Sequence, residues 1–302
     1  MIDSLSPNTL KQYDCYLKEW YKFCENQNVD YLDASIPNIL FFFTKLYNSG
    51  YNYGSLNCCK SALSTILGKN ISSDDRIARF MKGVFRCRPP KPKYQFTWDI
   101  DIVLDYLAHM YPNDDLSLEL LSKKLVTLLA LITAQRAQTL SKIQVNNILY
   151  NSNCITIKIS EATKTSRPNS YNPLLKLPYF NEKPAICPAR ALCCYKNKTE
   201  SIRKTDCNYF FISYRKPHSR VTNQTLSHWI KDMLHRSGID TTIFGSHSTR
   251  HASTSKAKLA GVSLDVIRRT AGWSVSSSVF ARFYNKDIVA YQDSFAHSIL
   301  DS

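Results

Sequence analysis

"LSLELLSKKLVTLLALITAQRAQTLSKI", residues 116 to 143, decides the fold class. Its apolar residues are so dense that it reads as a buried helix entering a second one, with Arg136 just beyond the buried run. The period then changes. "CITIKI" (154 to 159) reads as a β-strand, "SEATKTSRPNS" as a turn, and "YNPLLKLPYF" as a candidate partner strand with a proline-marked edge. Lys164 falls near the hairpin tip. Helical periodicity returns at 188 to 199 and 222 to 236, with the short apolar segment "DCNYFFISY" (206 to 214) between them. The remainder is expected to be helical at about 248 to 260, 263 to 271, 276 to 284 and 286 to 299. A mainly α domain with one small sheet follows.

Toward the N-terminus, "TWDIDIVLDYLAHM" reads as a capped helix, preceded by prolines 89, 90 and 92 that suggest an extended joint. Before the joint, Leu10, Tyr13, Leu17, Trp20 and Tyr21 recur at helical spacing over 5 to 26, with Ser6-Pro7 as the start. Further helices are expected at 36 to 48, 53 to 67 and 74 to 86. The expected organisation is a small all-helical domain over 1–88, a linker over 89–96 and a second domain over 97–302. In the helix at 74 to 86, Ile77, Phe80, Met81, Val84 and Phe85 can share one face, while Arg76, Arg79, Lys82 and Arg86 line another. Residues 76 to 93 hold seven basic residues and no acidic one, which favours a DNA-backbone contact over a merely solvated face.

The whole chain has 39 Lys and Arg against 24 Asp and Glu, a formal net charge of +15 over 302 residues. That excess favours a polyanionic partner, nucleic acid before membrane. No uninterrupted apolar run approaches the roughly 20 residues needed to span a bilayer, and "ILFFFTKLY" (39 to 47) is too short and reads as buried helix. "MIDSLSPNTL" lacks the pattern of a secretory signal, so an intracellular location is expected. The ten Cys are then reduced thiols; their spacings match no paired C-x-x-C zinc pattern, and they read as small buried hydrophobes.

No Walker-type loop, G-x-G-x-x-G, G-x-S-x-G or H-E-x-x-H occurs, and the chain has only eight Gly. Acid-rich clusters suited to two metal ions are equally absent from the sequence. What remains is Arg136, Lys164, His247, Arg250 and Trp273, followed eleven residues later by Tyr284. Two guanidiniums can hold the non-bridging oxygens of a phosphodiester and stabilise charge gained in a pentacoordinate transition state. His247 and Arg250, three apart at a helix start, can converge on one anion, which the helix N-terminus also favours. A phenol with a pKa of about 10 is a poor nucleophile unless cationic neighbours lower the cost of ionising it.

This set, in this order, resembles the tyrosine recombinases, the lambda integrase family. "TAQRAQTL" matches the first Arg, "ATKTSRP" the hairpin Lys, "HSTRHAS" the H-x-x-R, "AGWS" the Trp and "FARFYNK" the Tyr. The motif texture is similar to recombinases of eukaryotic mobile elements, DIRS-type retroelements first and Cryptons next. The resemblance implies a SAM-like N-terminal helical bundle and a catalytic domain that together clamp duplex DNA. It also implies a covalent 3'-phosphotyrosyl intermediate without metal, ATP or other cofactor. Tyr284 would attack, Arg136 and Arg250 would stabilise charge, Lys164 would protonate the leaving oxygen, His247 would assist proton transfer and Trp273 would donate its indole N–H. A chain that is monomeric when free and a homotetramer on DNA is implied, with "KDIVAYQDSFAHSIL" as a tail helix docking on the next protomer. Nuclear residence follows from the eukaryotic-element likeness.

Two departures stand out. The acidic residue usual three positions after the first Arg is Thr139, and the interval from Trp273 to Tyr284 is two longer than in bacterial members. Each residue also has a plain structural alternative. Arg136 suits the C-terminus of the preceding helix, Lys158 or Lys176 can stand in for Lys164, and Tyr291 is a rival nucleophile. His251 reads as a packing residue behind the site. Two other functions share these features: a catalytically silent DNA-binding protein, and a type IB topoisomerase-like relaxase.

Overall fold

The structure, a computed structural model, describes residues 4–68, 71–90, 94–163, 166, 172–273 and 287–288. The chain divides into two compact units, Met1–Pro92 and Lys93–Ser302.

The first unit consists of α1 (Pro7–Gln27), α2 (Ile36–Asn48), α3 (Tyr53–Leu67) and α4 (Asp75–Cys87). Each begins where a short polar side chain accepts a bond from an otherwise unpaired backbone N–H: Ser6 from Thr9, Ser35 from Asn38, Asn52 from Ser55 and Asp74 from Arg76. Trp20, Phe23, Phe42, Phe43, Leu56, Leu63 and Ile77 form the core. The Trp20 indole N–H donates to the Tyr31 carbonyl at 3.0 Å, so the largest buried ring loses no hydrogen bond on burial.

Two residues expected on the apolar faces of α1 and α4 are not buried. Tyr21 and Phe85 are each 48% exposed, because Trp20 and Val84, one residue before them, take the inward direction. Phe85 instead meets the Tyr53 ring edge-on at 5.4 Å. Among the thiols, Cys15 and Cys87 are exposed rather than buried, lying on solvent-facing sides of α1 and α4.

The second unit opens with β1 (Phe96–Thr97) and α5 (Ile100–His109), then α6 (Leu118–Thr133) and the single turn α7 (Ala137–Leu140). A three-stranded antiparallel sheet follows, in the order β2 (Ile148–Tyr150), β3 (Cys154–Lys158), β4 (Leu174–Pro178). β3 and β4 correspond to the two strands expected from the sequence, and β2 is an addition to them. Ile155, Ile157, Leu175 and Leu177 face inward, while the register sets Thr156 opposite Lys176 and Lys158 opposite Leu174 on the outer face.

Next come α8 (Pro188–Glu200), α9 (Asn223–Arg236), α10 (Ser248–Leu259) and α11 (Leu264–Ala271). α6 packs against α8, α9 and α10, which is why its sequence is apolar almost all round. The last described element, β5 (Asp287–Ile288), pairs in parallel with β1, Phe96 opposite Asp287 and Thr97 opposite Ile288. The helix expected over 286 to 299 is therefore overturned at these two residues, since Ile288 is buried in a strand contact. The helix expected at 276 to 284 lies outside the described residues. No helix among the described residues is long and apolar enough to cross a membrane.

Candidate active site

α6 ends at Ala134, whose backbone turns left-handed (φ 50°) and reverses the chain. Gln135 is buried there, and its Nε2 donates to the Thr270 carbonyl at 2.6 Å, joining this turn to the end of α11. Arg136 caps the start of α7: its carbonyl accepts from Thr139 at 2.8 Å and from Leu140 at 3.1 Å. Its guanidinium is partly exposed and has no hydrogen bond or ion pair to the described residues. Thr139, in the place of the expected acid, is buried.

Gly245–Ser246–His247 form the entry turn of α10. Ser248 Oγ donates to the Gly245 carbonyl at 2.7 Å and accepts from the Trp98 indole N–H at 2.9 Å. This fixes the turn between His247, exposed at the N-cap, and Arg250, which has 0% exposure. Arg250 Nη1 donates to the Ala134 carbonyl, and Nη2 to the Ala271 carbonyl at 3.0 Å. Arg250 rather than Arg136 thus satisfies the end of α6. The guanidinium carbon lies 5.1 Å from the centre of the Trp273 ring, which packs with Ala134, Ile267 and Ala271.

Arg136, His247 and Arg250 line one cavity of about 190 Å³, together with Gln135, Thr249, Asn223 and Ser227 among others. No carboxylate occurs among its described lining residues. Two arginines, a histidine and the start of α10 therefore border a space suited to a small anion such as a phosphodiester. Among the described residues, no group of three or more His, Cys, Asp or Glu is placed to hold a metal.

Trp273 is not among the described lining residues and reaches the site through Arg250. His251 is buried behind it, its ring 5.9 Å from His247 and 5.2 Å from Tyr94. Lys164, Tyr284 and the rival Tyr291 lie outside the described residues. The alternatives to Lys164, Lys158 and Lys176, are exposed on the outer sheet face. On α4, Arg76, Arg79, Lys82 and Arg86 are all exposed, but Arg76 is held by Asp74 at 2.8 Å. That bond keeps the Asp74 carboxyl down at about 2.

Sequence reasoning missed Gln135, Trp98, Asn223 and Ser227. Only Gln135, next to Arg136, carried a local signal; Trp98 meets Ser248 from 150 residues away.

A family model described as the phage integrase family matches residues 104–288. Comparison with curated protein sequences finds no match. Among solved structures, the chain is similar to XerH site-specific recombinase bound to a palindromic difH substrate, with a TM-score of 0.66 at 13% identity, covering 97% of this chain and 80% of that one. The integrase of the Tn1549 transposon, in complex with transposon right end DNA, gives 0.58 at 12% identity, covering 95% and 99%. A lambda integrase tetramer bound to a Holliday junction gives 0.54 at 14%, covering 91% and 74%. At such identities the likeness is one of fold.

Proposed function

The chain belongs to the phage integrase family, and from that premise we propose that it is a site-specific DNA recombinase acting through a 3'-phosphotyrosyl intermediate. The observation that carries this reading is the cavity lined jointly by Arg136, His247 and Arg250, with no carboxylate among its described lining residues. These residues come from two segments more than 100 positions apart, joined where Arg250 donates to the Ala134 carbonyl, two residues before Arg136.

In the proposed reaction the Tyr284 phenol attacks the scissile phosphorus and gives its proton to His247. Arg136 and Arg250 carry the charge gained by the non-bridging oxygens. The P–O5' bond breaks, and the leaving oxygen takes a proton from the Lys164 ammonium. Trp273 supports Arg250 and offers its indole N–H. A 5'-hydroxyl from a second duplex then reverses the attack, so each phosphodiester broken is replaced by one formed. Neither a metal nor ATP takes part. Free chains are monomers and assemble as a tetramer on duplex DNA, with the α4 stripe on the phosphate backbone.

The role is integration or excision of a mobile element. We read the motifs around Arg136 and from His247 to Tyr284 as resembling those of DIRS-type recombinases and of Cryptons, a reading that implies work in the nucleus.

The test is to incubate the protein and its Tyr284→Phe variant with nicked duplexes made from the sequences flanking its gene. A protein–DNA adduct that survives denaturant is expected with the wild type and absent from the variant. Binding without any adduct would instead support a silent DNA-binding protein. Relaxation of supercoiled plasmid without strand exchange would support a relaxase.

A further inference from the structure

We propose that Lys142 is a positioning residue for the proton donor of strand cleavage, an inference that rests on the function proposed above. Lys142 lies two residues beyond α7, whose first turn is capped by Arg136. Its backbone N–H donates to the Thr139 carbonyl at 3.1 Å, so it is rigidly joined to the turn presenting Arg136. Its ammonium donates to the Ala162 carbonyl and lies 3.7 Å from Glu161 Oε2. Ala162 is two residues before Lys164. One short turn therefore presents the first arginine and grips the mouth of the β3–β4 loop carrying the proposed acid.

The grip is built from both sides. Glu161 Oε1 accepts from the Tyr209 hydroxyl at 2.7 Å and from Gln144 Nε2 at 3.4 Å. Gln144 Oε1 in turn accepts from Ser160 Oγ at 3.0 Å. On the far side of the loop, Asn172 Nδ2 donates to the Ser160 carbonyl at 3.2 Å. The chain on either side of Lys164 is thus tied to the segment following Arg136, although the acidic residue expected at 139 is missing. A lysine that serves as general acid must stand within hydrogen-bond reach of the leaving oxygen, so holding its loop is part of making the proton transfer efficient.

Lys142 acts through Lys164 on one event, protonation of the departing O5'. A 5'-bridging phosphorothiolate removes the need for it, because sulfur leaves as a thiolate. The experiment first maps the scissile phosphate on duplexes from the gene-flanking sequences. It then compares the full-length wild type, Lys142→Met, Lys142→Arg and Lys164→Ala on the ordinary and the phosphorothiolate duplex. Lys142→Met is expected to slow cleavage of the phosphodiester by about tenfold, a fraction of the usual general-acid contribution. It should cleave the phosphorothiolate at the wild-type rate, as Lys164→Ala should, with partial recovery on the phosphodiester in Lys142→Arg. Equal losses on both substrates would make Lys142 a fold residue only, and no loss on either would remove any role; both overturn the proposal. If Lys142→Met shows the pattern while Lys164→Ala has no defect, Lys142 is itself the acid and the positioning role is wrong. A wild type that cleaves neither duplex overturns the proposed function and this assignment with it.

Discussion

Arg250 shows how a charged group can belong to the framework and still border the proposed site. Its guanidinium is fully buried, and a buried cation is tolerated only when its donors are satisfied. The carbonyls of Ala134 and Ala271, 116 and 21 residues away, each accept from one of its terminal nitrogens, and Trp273 covers its face. Lys124 is the contrasting case. It too has no exposure, but its ammonium donates only to the Met110 carbonyl among the described residues, and burial pushes its pKa from 10.5 down to about 8. The folded state therefore releases this proton more readily than the unfolded state. The penalty is full below pH 8, shrinks as pH rises toward 10.5 and is gone above it. Lys124→Met should stabilise the protein at pH 7 by about 2 kcal/mol, somewhat less than the pKa difference alone implies, because Met110 loses its donor. Urea denaturation at pH 7 and pH 10 checks this: the gap between variant and wild type should narrow at the higher pH. A destabilised variant at pH 7 would mean that the Lys124 bond outweighs the cost of burying its charge.

At the scale of elements, α4 sorts its residues by period: Ile77, Met81 and Val84 inward, Arg79, Lys82 and Arg86 outward. Arg76 is taken by Asp74, and Arg88 is pinned to the Tyr47 carbonyl at 2.6 Å with its guanidinium 3.8 Å over the Tyr47 ring. Three cations of the stripe are left for a backbone contact. Arg79→Gln should weaken binding alike on all duplex sequences and lower the slope of log K against log salt by about one. Arg76→Gln should do less, since its charge is already offset; equal effects from the two, measured by fluorescence anisotropy across a salt series, would put the DNA elsewhere. Helices were legible in the sequence where cap and apolar period agree, down to the bounds of α2 and α3, whereas α8 and α10 have no side-chain cap and were legible from period alone. The short strands were not. Two or three residues show no alternation, and β1 finds its partner nearly at the other end of its unit. The same distance hid part of the site. H-x-x-R could be read from spacing alone, whereas the bonds from Trp98 to Ser248 and from Gln135 to Thr270 exist only once the chain has folded.

For the molecule as a whole, the β1–β5 pairing ties the beginning of the second unit to the stretch just past Tyr284. Ile288 is 1% exposed there, opposite Thr97. The tail after Tyr284 thus has two separable parts: a strand engaged within its own chain, and the residues beyond it that we propose dock on a neighbouring protomer. Two truncations separate them. Ending the chain after Ile288 keeps the strand, so thermal stability and the Tyr284 adduct should stay near wild type while tetramer assembly on DNA is lost. Ending it after Lys286 removes a buried Ile worth about 2 kcal/mol, which for a unit of this size lowers the melting temperature by roughly 5 °C. Melting curves and sedimentation on DNA read the two effects independently. Equal melting temperatures would show that the strand adds nothing to the second unit. Tetramers from the chain ending at Ile288 would place the inter-protomer contact somewhere other than the tail.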